Sequence, residues 1–311
     1  PPDRHRLYCD RSAYSGSVMT SIETTSASGR GDSPFLIGLA AIFLGRPVTI
    51  VAACVILVFG CIAIFAPMLA PYDPLAQSYL KINAYPSAEN WLGTDQFGRD
   101  VLSRLIYGSR NSLIFGLIAP VLAALVGTTL GVIAGYFGGI FDRLVTRLID
   151  LLLAFPELLL AIIISAALGG GFWNIIIVLT IAFVPGFARV ARASTLSVKQ
   201  EPYIEAAIAV GVRTPIIILR HVVPNIAAPI VVLMTLWVAS AIRLEAALSF
   251  LGMGTRPPHP SWGNIIRDGL SNIFGSPWPI IGAGFAITLV VLSFNLIGDA
   301  IRDVLDPEIS E

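Results

Sequence analysis

The sequence predicts an all-α membrane protein with six transmembrane helices. Three observations support this. Of the 311 residues, 55% are hydrophobic and only 13% are charged, against roughly 25% charged in soluble globular domains. Mean hydropathy is +0.79. Six separate apolar stretches approach the roughly 20 residues that cross about 30 Å of hydrocarbon. Lys and Arg gather in alternate connections between those stretches, which orients a membrane protein. The formal net charge is +0, so no global basic field argues for nucleic acid as a partner.

Taken in order, residues 1–33 contain SIETTSASGRGDS, a Ser/Thr/Gly-rich run without apolar periodicity. They are expected to form a disordered cytoplasmic tail. Met19 is the expected natural start, and the Arg30-Gly31-Asp32 tripeptide is too short to carry meaning. Residues 34–47 form a juxtamembrane segment, in which Phe35–Leu44 is apolar but too short to span and is expected at the interface. The transmembrane domain covers 48–311. Its spans are expected at about 48–70, 113–136, 149–168, 174–188, 226–248 and 279–298. The fourth is short.

Basic residues set the direction. Arg46 precedes the first span, Arg143 and Arg147 follow the second, and Arg189, Arg192, Lys199, Arg213 and Arg220 follow the fourth. Arg302 follows the sixth. All fall on one side if both termini are cytoplasmic. The loops at 71–112 and 249–278 then face outward. They hold Arg99, Arg104, Arg110, Arg256 and Arg267, interleaved with acids such as Asp95, Asp100 and Asp268. The second span carries Gly127, Gly131, Gly135 and Gly139 at four-residue spacing, one face of a helix open to close backbone approach. That face serves either a helix that slides or a static contact.

Cys54 and Cys61 lie in one apolar run and Cys9 in the tail; without a Cys-x-x-Cys or Cys/His cluster they read as small apolar residues, not a metal or redox site. His5, His221 and His259 are far apart in sequence. Neither Lys81 nor Lys199, the two lysines, lies in a Gly-x-x-x-x-Gly-Lys-[Ser/Thr] loop, so the chain has no ATP-hydrolysing motif of its own. It also lacks a nucleophile elbow and a His-Glu-x-x-His pair. It is therefore expected to be non-catalytic and to bind no cofactor or metal.

Between two apolar stretches lies a polar, helix-shaped segment, 201–225, which reads EPYIEAAIAVGVRTPIIILRHVVPN. Pro202 suits a first helical turn, and Gly211 suits a left-handed end. Tyr203, Ala206, Ala207 and Val210 share one face of the short helix between them, most of it small. Spacing alone fits either a connecting helix on the membrane surface or a helix that sits in a partner's groove. Here a resemblance is specific. EAAIAVG followed by IILRHVVPN is similar to the cytoplasmic coupling motif of ATP-binding-cassette importer permeases. WLGTDQFGRDVLSRLIYGSRNSL, GYFGGIFDR, LSFLGMGTRPPHPSWGNII and GDAIRDVLDPE resemble the C-type subunit of dipeptide/oligopeptide permeases. The resemblance covers roughly residues 35–308.

It implies a type I ABC importer permease fold in the cell's inner or plasma membrane. It also implies a homologous second permease, two ABC ATPase subunits that use ATP and Mg, and an extracytoplasmic peptide-binding protein. Glu205, Ala206, Ala207 and Gly211 would then form the ATPase-coupling element. Two departures stand out: Ile208 replaces a basic residue common in relatives, and Arg243 lies in an otherwise apolar span. Ionisable residues within spans are candidates for the substrate path, here Glu157, Arg243 and Glu245. Glu157 either lines the path or caps a proline kink, Glu245 is structural or gating, and Arg243 is the candidate for a peptide carboxylate. The Pro- and Trp-rich loop at 249–278 serves either as a docking surface or as a lid. The alternatives are an ion-driven secondary transporter of small solutes and a membrane scaffold without a path.

Overall fold

The computed structural model describes residues 47–305. The tail at 1–33 and Phe35–Leu44 lie outside the described residues. Among the described residues the regular structure is helical. The helices are α1 (Pro47–Ile64), α2 (Ala66–Leu69), α3 (Val101–Phe137), α4 (Gly139–Leu153), α5 (Glu157–Leu168) and α6 (Phe172–Lys199). They continue with α7 (Pro202–Ala209), α8 (Thr214–Ile217), a π turn at Ile218–Val222, α9 (Val223–Phe250), α10 (Trp262–Leu270) and α11 (Trp278–Leu305). Five helical runs are long and apolar enough to cross a membrane: α1, α3, α6, the run from α8 through α9, and α11.

The third expected span, 149–168, is not one straight helix. It divides between α4 and α5, which meet at a bend of 97°. The cause is local. Pro156 has no N–H to donate and disfavours helical geometry at Phe155. Glu157, expected near the middle of a span, lies instead in the first turn of α5. There its carboxylate faces the positive end of a helix dipole.

Direction shows why the bent pair must still carry the chain across. Gly127 of α3 lies against Val184 and Ala188 of α6, and Gly135 against Arg192 and Thr195. Both sequences rise together, so α3 and α6 run parallel. The chain therefore returns between them through α4 and α5. Ile242 of α9 lies against Gly116, and Glu245 against Ser112, so α9 is antiparallel to α3. Gly298 of α11 meets Thr235 of α9, while Gly282 meets Leu105 near the start of α3. α11 thus runs with α3. Residue 305, the C-terminal end of α3 and the 200–225 segment share one end of the bundle. Segments 71–100 and 251–277 share the other.

Several helices outrun their apolar segments. α3 starts at Val101 rather than near 113, because Asp100 caps it. The Asp100 carboxylate accepts from the Ser103 amide at 2.8 Å and the Ser103 hydroxyl at 2.7 Å, satisfying amides that a helix start leaves orphaned. α6 runs eleven residues past the expected 188 to Lys199. Its polar extension is held by Arg192, whose Nη2 donates to Asp142 Oδ2 at 2.8 Å.

Of the four spaced glycines, three form the α3–α6 contact. A Cβ on Gly131 would stand 2.4 Å from the Ala188 carbonyl oxygen, and one on Gly127 2.6 Å from that of Val184. Gly139 does not belong to this face. The helix stops at Phe137, and Gly138 and Gly139 turn the chain with φ of +67° and +68°. The largest core cluster sits beside this contact, around Phe115, Phe183, Phe187, Leu179 and Leu248.

Gly131→Val should push α6 away from α3 and cost about 1–3 kcal/mol, the usual range for overpacking. Gly284→Ala on α11 is the control, since a Cβ there meets nothing within 4 Å; it should be neutral or gain about 0.5–1 kcal/mol. Thermal melts of the purified protein distinguish them, and equal melting points would sink the close-contact account.

Candidate coupling and translocation sites

The 201–225 segment folds as a hooked element at one end of the bundle. Pro202 occupies the first turn of α7, with Glu201 extended before it. The helix ends in a Schellman motif. The Gly211 amide donates to the Ile208 carbonyl at 3.0 Å and the Val212 amide to that of Ala207 at 3.0 Å. This closure needs a left-handed residue, and Gly211 supplies it with φ +85°.

Ile204 anchors α7. It is fully buried among Val132, Tyr136, Ala191, Ile217, Val222 and Ile226. Ala207 is half-buried against the same cluster. Glu205 and Ala206 are exposed. So Ala206 faces outward, and Ala207 leans toward the chain's own core. Of the four residues expected on one face, Val210 is 83% exposed and Tyr203 only partly covered.

Two polar contacts brace α7 and the span ends around it. At the end of α6, Lys199 Nζ donates to the Tyr136 carbonyl at 2.7 Å, a cation at the C-terminus of α3. At the start of α9, Asn225 Nδ2 donates to the Tyr203 hydroxyl at 3.2 Å and to the His221 carbonyl at 2.6 Å. Outside these contacts the element presents apolar side chains to its surroundings: Ile208, Val210, Ile216 and Leu219 are all exposed. Arg213, Arg220 and Glu205 rim them. An apolar patch with a charged rim at the end of a membrane bundle has the make-up of a protein interface.

The three candidate path residues separate. Glu157 and Arg243 are exposed and lie within electrostatic reach of each other. Arg243 also donates to the Ser240 hydroxyl at 3.0 Å. Glu245 is fully buried on the other side of α9. Its carboxyl accepts from Ser249 Oγ at 2.7 Å and Ser112 Oγ at 3.3 Å. Those hydroxyls accept in turn from the Thr255 and Trp262 amides, each at 3.3 Å. Glu245 is therefore the hub of a network joining α3, α9 and the start of α10, and lines no opening in this conformation.

Sequence reasoning missed a second polar hub. Asp95 and Asp268 pair with Arg99 and Arg104: Arg99 Nε meets Asp95 at 2.7 Å, and both arginines meet Asp268 at 3.2 Å. All but Asp268 are at least nine-tenths buried. The signal was the interleaving of acids with arginines in both loops. These arginines are neutralised in place, which removes them from the orientation count.

Residues 127–311 match the family model described as binding-protein-dependent transport system inner membrane component. That is more than half the chain. The chain belongs to this family. Residues 36–86 match a second model, the N-terminal TM domain of oligopeptide transport permease C. The permease is 45% identical to the dipeptide transport system permease protein DppC of Alkalihalophilus pseudofirmus, over 83% of this chain and 85% of that one. It is 41% identical to the glutathione transport system permease protein GsiD of Escherichia coli, over 86% and 88%. Its fold is similar to that of the MetNI methionine ABC transporter in an inward-facing conformation, with TM-score 0.54 and 18% identity over 65% of this chain and 97% of that one. The chain is thus an ABC importer permease of type I fold, a multi-pass inner membrane protein. It is not itself an enzyme: ATP hydrolysis belongs to separate subunits.

Proposed function

We propose that this permease imports short peptides handed over by an extracytoplasmic binding protein, and that the 201–225 element couples it to ATP hydrolysis. The observation that carries the coupling is the exposed apolar patch on an element rigidly capped and pinned to both α3 and α9. Such an element transmits a push to two spans at once. The complex contains this chain, a homologous second permease and two ATPase subunits, which use ATP and Mg; this chain binds neither. ATP-driven closure of the ATPases moves the coupling elements together and switches the bundle between inward- and outward-facing states.

The relatives named for dipeptide and glutathione transport point to short peptides as cargo. These carry an ammonium and a carboxylate. Glu157 and Arg243, exposed and near each other, offer one partner for each. An ion-driven carrier would have no use for the patch on α7 and α8.

In reconstituted complexes, Gly211→Val, Ala206→Trp and Glu205→Lys test the coupling. Gly211→Val places a β-branched residue at positive φ, costing on the order of 1–3 kcal/mol locally, and the other two alter the exposed side of α7. Each should lower ATPase retention or uncouple ATP turnover from uptake while membrane insertion stays normal. Wild-type coupling in all three would reduce the segment to a connector. For the path, Glu157→Gln and Arg243→Gln should raise the half-saturating peptide concentration with little change in basal ATP turnover. Unchanged uptake kinetics in both would remove them from the path.

Orientation has its own measurement. The basic 189–220 stretch lies at the same end as residue 305, which supports a cytoplasmic location for both termini. With Cys9, Cys54 and Cys61 replaced by Ala, Ser271→Cys should label from outside the cell and Ala209→Cys should not. The reverse pattern would invert the topology.

A further inference from the structure

We propose that the permease holds a phospholipid headgroup of the phosphatidylethanolamine type in a cavity at the 71–100 end of the bundle. The cavity has a volume of about 640 Å³. Its walls come from the end of α1, the chain after it, the first third of α3 and the 259–260 turn. The residues that matter are Pro67, Tyr72, Asp73, Tyr107, Arg110 and His259.

Its level follows from α1. That helix buries only Thr49, Ala52 and Ala63 and exposes Val51, Leu57, Val58 and Ile64 along its length. A helix so exposed and apolar faces acyl chains. Eighteen residues rise roughly 27 Å, close to the hydrocarbon thickness of about 30 Å. Pro67, just past its end, therefore lies where the hydrocarbon gives way to headgroups. Tyr72 and Tyr107 have the chemistry that favours this boundary. Met68 and Leu69 beside the cavity are exposed and apolar, as a wall for the upper part of an acyl chain would be.

Its chemistry selects the ligand. Arg110 is exposed, and its guanidinium has no hydrogen bond or ion pair among the described residues. The Tyr107 hydroxyl and the His259 ring also have no partner there. Three donors without acceptors line one cavity. The nearby arginines Arg99 and Arg104 are, in contrast, each paired with aspartates. A phosphodiester supplies the acceptors that Arg110, Tyr107 and His259 lack. Asp73 gives only one oxygen to the chain, accepting from the Leu75 amide at 2.8 Å. Its other oxygen is free for a primary ammonium. One anion and one ammonium, joined by a short linker and placed at headgroup level, describe an ethanolamine phospholipid. A zwitterionic peptide shares the charges but not the acyl chains that the α1 surface would accommodate.

The intact complex, purified in mild detergent, is equilibrated with phosphatidylcholine vesicles carrying a minor fraction of phosphatidylethanolamine or phosphatidylglycerol. Native mass spectrometry then counts retained lipid. Phosphatidylethanolamine should be retained preferentially. Arg110→Ala should lower that retention about tenfold, equivalent to roughly 1.4 kcal/mol, and Arg110→Lys should restore part of it. Asp73→Asn should erase the preference for ethanolamine over choline, whose quaternary nitrogen has no N–H to donate. Arg147→Ala, at the opposite end, should change nothing. Melting points that match wild type exclude misfolding as the cause. Equal retention by wild type and Arg110→Ala would overturn the site. So would displacement of the lipid by a soluble dipeptide, which would make the cavity a substrate site.

Discussion

The backbone contact between α3 and α6 fixes the rest of the bundle. Two helices can approach until carbonyl oxygens stand where a Cβ would be only if one of them lacks side chains there. Gly127, Gly131 and Gly135 meet that condition over two turns. In lipid, apolar side chains gain nothing by leaving the acyl chains for one another, so dispersion across such a contact replaces the hydrophobic effect as the adhesive. Because the two helices run parallel, the contact also dictates topology. A chain that leaves α3 at one end and begins α6 at the other must cross back in between. Only α4 and α5 are available, and they do so bent, at Pro156.

Polar groups inside the bundle are placed where they join elements that apolar packing would leave free to slide. Glu245 is expensive to bury, and its cost is offset by hydroxyl donors from two helices. The same hydroxyls hold the backbone at Thr255 and Trp262, which docks the 251–277 segment onto the spans. The Asp95, Arg99, Arg104 and Asp268 cluster performs the same task between the 71–100 segment and α10. Buried ion pairs contribute little net stability compared with apolar packing. Their geometric demands are strict, however, and that strictness positions two irregular segments at one end.

Six passes, their order and the helical segment at 201–225 were readable from apolar run length, charge distribution and the EAA-type motif. Those signals are local and strong. The boundaries were less readable, because apolarity reports the hydrocarbon and not the helix. α3 begins twelve residues before its apolar part, at a cap, Asp100, that composition does not weigh. The bend at Pro156 was visible as a proline but its size was not, since the angle depends on what α5 packs against. The orphan status of Arg110 and the engagement of Arg99 could not be told apart in sequence. Both lie in the same loop-like stretch, and only the fold decides which arginine meets a carboxylate.

The junction between the 201–225 segment and α9 shows how one residue shapes the backbone. Pro224 cannot donate to the carbonyl four residues back, and its ring crowds that carbonyl. The chain accommodates this by widening one turn: the Val223 amide reaches five residues back to Ile218, which makes the π turn. A π turn holds one residue more than an α-helix needs and is a common feature of functional sites. Here it lies between Ile217, buried with Ile204 of α7, and Ile226, buried in the same cluster at the start of α9. Asn225 bridges the two sides through Tyr203 and the His221 carbonyl. The element is therefore rigid in its anchoring and irregular in its backbone. Tyr203 and Asn225 join α7 to α9 directly, while the turn with the spare residue is the part of the junction least constrained by α-helical hydrogen bonds.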